Sequence, residues 1–342
     1  MADAPGPDEH WWLDAHLDLA YLHLHGPDVA AELPDREARG VSLPALARGR
    51  VRLFLGTIFT ELGADAPWGY RDHGDREGAH AAGVRQLEVY ESLERAGRAR
   101  IVRTAADLDA CAAAADGAPP GIVLLMEGAD PIRTPAEVAW WHARGVRAVG
   151  LTWARGSRYA GGNAAHGPLT AEGRDCVAAL DAHGILHDAS HLADEAFDGL
   201  CAATGARIVA SHSNARRHAA DVQRHLTDAQ VAEIAARDGC VGLNLYGKFL
   251  ADGRPATLAD AVRHVEHAAS IAGRGRTGLG SDFDGGFAPA ECAAGCGRPE
   301  ELPALADALA AAGWDAAALA GFRHGNWMRT LRAALSRTST GR

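Results

Sequence analysis

Residues 121–128 read Gly121-Ile122-Val123-Leu124-Leu125-Met126-Glu127-Gly128. A strand that is apolar at consecutive positions is buried on both faces, as in a parallel sheet covered by helices. Working outward, similar runs occupy 11–19, 51–59, 146–152, 185–189, 207–210, 240–246 and 277–281. Between them lie helical patterns, at 77–97, 134–145, 170–183, 194–204, 227–237 and 257–272, and a final helical pair at 300–335. Eight strands alternating with helices predict an α/β fold, a closed parallel (β/α)8 TIM-like barrel. No Gly-x-Gly-x-x-Gly or P-loop pattern follows the first strand, which argues against a nucleotide site.

The chain of 342 residues is 47% apolar and 23% charged, enough for one large core. Residues 1–342 are expected to form a single barrel domain, with a short N-terminal extension and a frayed tail at 336–342. The formal charge of −10 disfavours nucleic acid and anionic membranes as partners. No run of about 18 apolar residues is present, and the start, MADAPGPDEH, has neither a basic nor an apolar stretch. A cytoplasmic location with reduced thiols is expected; Cys292 and Cys296 lack a second pair and read as free thiols in a loop.

The polar residues fall at the strand ends. His16 and Asp18, two apart, share one face of the first strand, with Leu17 on the other. Glu127 ends the third strand, His191 follows the fifth, His212 the sixth and Asp282 the eighth. A barrel brings these ends to one rim, where the active sites of this fold lie. Each residue alone has an ordinary alternative, a helix cap or a hydrogen-bonded histidine; six residues converging from five strand ends point to a metal site. Two cations close together need an anion between them, and Glu127 is placed to bridge. Imidazoles and carboxylates suit zinc, and a water shared by two Zn²⁺ would lose a proton near neutral pH, with Asp282 as proton carrier.

The segments Asp14-Ala15-His16-Leu17-Asp18, Met126-Glu127-Gly128, Asp188-Ala189-Ser190-His191, Ser211-His212-Ser213-Asn214-Ala215-Arg216 and Gly280-Ser281-Asp282-Phe283-Asp284-Gly285 resemble the renal, or membrane, dipeptidase family, zinc peptidases of the amidohydrolase superfamily. The segment His324-Gly325-Asn326-Trp327-Met328-Arg329 resembles a further family motif, and the likeness covers about residues 10–335. The resemblance implies two Zn²⁺ per chain, one on His16 and Asp18, the other on His191 and His212, bridged by Glu127 and a water or hydroxide. It implies Asp282 as the group that passes a proton to the leaving amine. It implies Arg224 as the grip on the substrate carboxylate, which a guanidinium fork suits, and Tyr246 as a pocket residue. A small dipeptide-like substrate, including one with a C-terminal D-residue, and a homodimer are the partners it points to.

One position departs from the family. The histidine that follows Leu-Thr at the end of the fourth strand, and helps polarise the scissile carbonyl, is here Trp153. An indole donates one hydrogen bond and carries no charge. Either Arg158, Tyr159 or Asn163 from the adjacent Gly-rich loop substitutes, or the substrate differs. Three readings stand: a dipeptidase, a related amide or lactone hydrolase, and a metal-binding scaffold with little turnover. Asp282 argues against the third, since a scaffold needs no base.

Overall fold

The computed structural model describes residues 10–219 and 222–336. The N-terminal extension and the tail beyond Ser336 lie outside the described residues. Eight parallel strands form the ring: β1 (Trp12–Leu17), β2 (Val51–Phe59), β3 (Gly121–Glu127), β4 (Val146–Gly150), β5 (Leu186–Asp188), β6 (Ile208–Val209), β7 (Val241–Leu243) and β8 (Thr277–Leu279). Pairing runs in chain order from β1 to β6, and β7 and β8 lead back to β1. A parallel bridge from Ala210 to Val241 closes the ring between β6 and β7. A two-residue strand, Arg100–Ile101, pairs on the side of β3.

Alternation along β3 sets the two layers. Val123 and Leu125 fill the barrel interior, while Ile122, Leu124 and Met126 pack outward against helices. Glu127 continues the inward row, so the acid tops the barrel core. On β1 the alternation slips. Leu13 and Ala15 pack in the interior, but so does the site residue His16, and Leu17 joins the outer layer. The register records the cause: Asp14 pairs with Phe54 and Leu17 with Gly56, so β1 carries one residue more than β2 there. This is a β-bulge, a device that re-aims side chains beside active sites.

The expected C-terminal helical pair is broken into Leu302–Ala311, Ala316–Ala320, a π turn at Gly321–Gly325 and Asn326–Leu335. Gly313, at φ +87°, ends the first piece. The last helix closes the barrel floor: Trp327 is buried and its indole N–H donates to Leu279 O at 3.0 Å. Asn326 Nδ2 donates to the carbonyls of Arg274 (2.8 Å) and Thr277 (2.7 Å). The 324–329 motif thus serves the floor, at the opposite end from the strand-end acids and histidines. The Gly-rich segment expected as a loop folds back as a hairpin, Ala160–Gly162 with Ala165–Leu169. No helix among the described residues is long and apolar enough to cross a membrane.

Candidate active site

The strand-end residues meet in one cavity of about 360 Å³. His16, Asp18, Glu127, His191, His212 and Asp282 line it, with Trp153, Tyr246, Phe249, Phe59 and Phe287 as aromatic wall and Tyr21 and Glu61 to one side. Glu127 is buried and its two oxygens face different partners. Oε1 lies 3.1 Å from His191 Nε2 and 3.2 Å from His212 Nε2, and Oε2 lies 3.6 Å from His16 Nε2. His16 Nε2 is 3.7 Å from Asp18 Oδ1. Ligand atoms of His16, Glu127 and His212 lie within 4.8 Å of one another, as do those of His16, Asp18 and Asp282.

The backbone holds these groups by specific means. His191 and Asp282 adopt left-handed φ angles of 67° and 59°, uncommon for non-glycine residues and frequent at functional sites. Asp14 accepts from the N–H of His16 (3.2 Å) and of Ser281 (2.8 Å), stitching β1 to the end of β8. Asp188 accepts from the N–H of Ser190 (3.0 Å) and Ser211 (2.8 Å), joining the ends of β5 and β6 in the same way. Thr57 Oγ1 donates to Asp18 Oδ1. Gly242 and Gly280 pass so close to the Ser211 carbonyl that an added Cβ would lie 1.8 Å from its oxygen.

Hydrogen bonds on the far ring nitrogens leave Nε2 pointing inward. His191 Nδ1 lies 2.9 Å from Asn163 Oδ1, an acceptor, so Nδ1 carries the proton and Nε2 the lone pair. His212 Nδ1 lies 2.7 Å from Ser211 Oγ, whose own proton goes to Asp188 Oδ2. Burial holds both imidazoles well below the usual histidine range, and Arg224 and His16 add to it. Burial also acts to lower His16, but Glu127, Asp18 and Asp282 outweigh it and raise this ring to about 10. Asp282 is raised to about 6 by burial, against the pull of His16. Burial raises Glu127 well above the usual carboxylate range.

These features fit a metal. His16 Nε2 and Glu127 Oε1 are buried without a hydrogen-bond partner, and two neutral imidazoles direct lone pairs at the same carboxylate. Three buried acids, Asp18, Glu127 and Asp282, share a cavity that no lysine or arginine lines among the described residues, so the cluster attracts positive charge.

Arg224 is buried beside the cavity, not on its lining. Nη1 donates to Ser213 Oγ at 3.0 Å and Nη2 to His212 O at 2.8 Å, Phe249 lies 5.0 Å above, and Nε has no partner. Trp153 does line the cavity, its ring 5.1 Å from Phe59 and 5.9 Å from His191. Arg158 and Tyr159 do not reach it. Arg158 donates to Asp130 and to Ile132 O, Tyr159 donates to Ile132 O, and neither can take the missing histidine's place. Asn163 is at the site, but turned to His191 and not to the open space. Sequence reasoning missed Asn244, whose Nδ2 donates to Asp282 Oδ2 at 2.8 Å. An asparagine in an otherwise apolar run was the available signal. His264, on the helix Leu258–Ala272, is buried, and its Nδ1 accepts from the N–H of Ala215 at 3.2 Å.

Comparison with known proteins agrees with this fold. Residues 8–340 match the family model described as membrane dipeptidase, peptidase family M19. An uncharacterised protein from the pqqA 5′ region of Klebsiella pneumoniae is 34% identical over 263 residues, covering 72% of this chain and 94% of its own. Dipeptidase aclJ of Aspergillus oryzae is 31% identical over 48% of this chain and 40% of its own. Among solved structures, dipeptidase AC, a metallopeptidase, superposes with a TM-score of 0.83 at 28% identity, covering 96% of this chain and 99% of that one. A Rhodobacter sphaeroides metallopeptidase, liganded with a phosphinate mimic of the dipeptide L-Ala-D-Ala, gives 0.82 at 27% identity over the same shares. With a barrel of this form, its acids and imidazoles gathered at one rim and a match along nearly the whole sequence, the chain belongs to the membrane dipeptidase family, a family of metal-dependent dipeptidases.

Proposed function

We propose that this protein hydrolyses the peptide bond of dipeptides at a site for two Zn²⁺, held by His16 and Asp18 on one side and His191 and His212 on the other, with Glu127 shared. The observation that carries this reading is the split of Glu127, one oxygen toward each histidine group. When bound, such a pair of ions acidifies a water and polarises a carbonyl. The chain's own residues do the rest. Asp282, with Oδ2 fixed by Asn244, takes the proton of the attacking water and delivers it to the leaving amine. Arg224, with Nε unused, attracts the free carboxylate of the substrate. Trp153 and Phe59 close one wall and exclude water.

The test is metal content with turnover. Zinc-loaded protein should hold about two ions per chain and cleave L,L- and L,D-dipeptides with free carboxylates. Glu127→Ala should lose metal and activity together; retention of both ions would overturn the bridge.

Trp153 favours a second reading, a related amide or lactone hydrolase, because the histidine donor is absent. Losing such a donor costs about 10²–10³ in rate. Trp153→His should therefore raise kcat for dipeptides by about 10²-fold if the departure limits that reaction. An unchanged kcat for dipeptides, with lactones cleaved faster by the native protein, would favour the second reading.

A further inference from the structure

The cavity is electrically lopsided. On the side of β6 and β7 stand the buried Arg224 and, over the Tyr246 ring at 5.6 Å, Lys248. Glu291, an acid at the rim, has Lys248 as its neighbour. On the side of β1 and β2, Glu61 is the only charged group beyond the metal-ligating set among the described residues that line the cavity. It is half-buried and makes no ion pair among the described residues. Arg155, which reaches the same loop, spends Nη1 on the carbonyl of Leu62 at 2.8 Å.

Glu61 is also held in place. Its N–H donates to Trp68 O at 3.0 Å, and Glu61–Leu62 pairs with Gly69–Tyr70 in a small ribbon. Tyr21 Oη donates to Glu61 Oε2 at 3.0 Å, leaving Oε1 to a ligand. The Tyr21 ring packs 5.1 Å from Phe59, and Phe59 packs 5.1 Å from Trp153, so an aromatic wall leads from the metal-ligating residues to the acid. Aromatic faces ending in a carboxylate suit a cation carried on an apolar stem. The unpartnered His16 Nε2 and Glu127 Oε1 belong to residues that line the same cavity.

We infer that Glu61, positioned by Tyr21 and flanked by Phe59 and Trp153, is a specificity residue for substrates whose amino-side residue carries a basic side chain. The inference rests on the dipeptidase reading: a carboxylate drawn to Arg224 turns the amino-side residue toward Asp18 and Glu61. Trp153 then serves as wall for the stem of that side chain.

The experiment compares Lys-Ala, norleucine-Ala and Glu-Ala on zinc-loaded protein. Lysine and norleucine share a stem and differ in the terminal charge, and every peptide has the same α-ammonium. The native protein should prefer Lys-Ala over norleucine-Ala by about tenfold in kcat/KM. Glu61→Gln, which keeps an acceptor for Tyr21, should bring that ratio to about one, and Glu61→Lys should move the preference to Glu-Ala. A native ratio near one, or a ratio that survives Glu61→Gln, overturns the subsite while leaving the dipeptidase reading intact. If no dipeptide is cleaved, that reading fails instead. Calorimetric binding of Lys-Ala and norleucine-Ala to Asp282→Asn protein still reports whether Glu61 distinguishes them.

Discussion

Asp282 carries two unusual properties together: a left-handed backbone and a carboxyl raised to about 6. Asparagine tolerates left-handed φ and accepts the same neighbours, so Asp282→Asn removes the base without moving the loop. Turnover should fall by about 10³-fold or more, and both metal ions should stay, read by elemental analysis beside kinetics. Loss of metal in this variant would show that Asp282 is a ligand first. The sequence marked Asp282 because it stands where a strand ends. It did not mark Asn244, which fixes Asp282 Oδ2, or Thr57, which fixes Asp18, because single polar residues inside apolar runs have no periodic signature.

The ring of strands was legible because β3 and its counterparts are apolar on both faces, which short amphipathic pieces are not. The ends of the elements were harder to read. The hairpin at Ala160–Leu169 looks like loop sequence because glycine supplies much of it, and the C-terminal pair breaks at a π turn that no hydrophobic period announces. The glycines at 242 and 280 look like punctuation in the sequence; in the structure they make room for Ser211. Gly242→Ala should push the Ser211 carbonyl aside, and with it His212. A loss of about 1–3 kcal/mol in denaturant unfolding, with weakened zinc affinity, is expected. Unchanged affinity would mean that the β6 end yields without moving its histidine.

Taken whole, the molecule buries imidazoles that are not part of the strand-end cluster. Burial lowers His225 to about 3 and His264 to about 4. An unfolded chain protonates both near pH 6.5, so between that value and about 4 it binds more protons than the folded one. Their contribution to stability is intact above pH 6.5, falls as the solution is acidified, and levels off below the folded values. The expected loss is on the order of a few kcal/mol between pH 7.5 and 4.5, measured by denaturant unfolding with a chelator present. Imidazole nitrogen shifts should show both rings neutral in folded protein at pH 5; protonated rings there would refute the account.

The extra residue in β1 has a consequence for how this chain can be edited. Remove Ala15, and the two strands would march in step from Leu13 onward. His16 would then take the inward place that Ala15 holds, with Leu17 still in the outer layer, and the imidazole would slide along the strand away from Glu127. The barrel could tolerate such a trim, because its hydrogen-bond ladder would become more regular; the chemistry could not. Insertions and deletions, usually the concern of loops, are here most dangerous inside a strand.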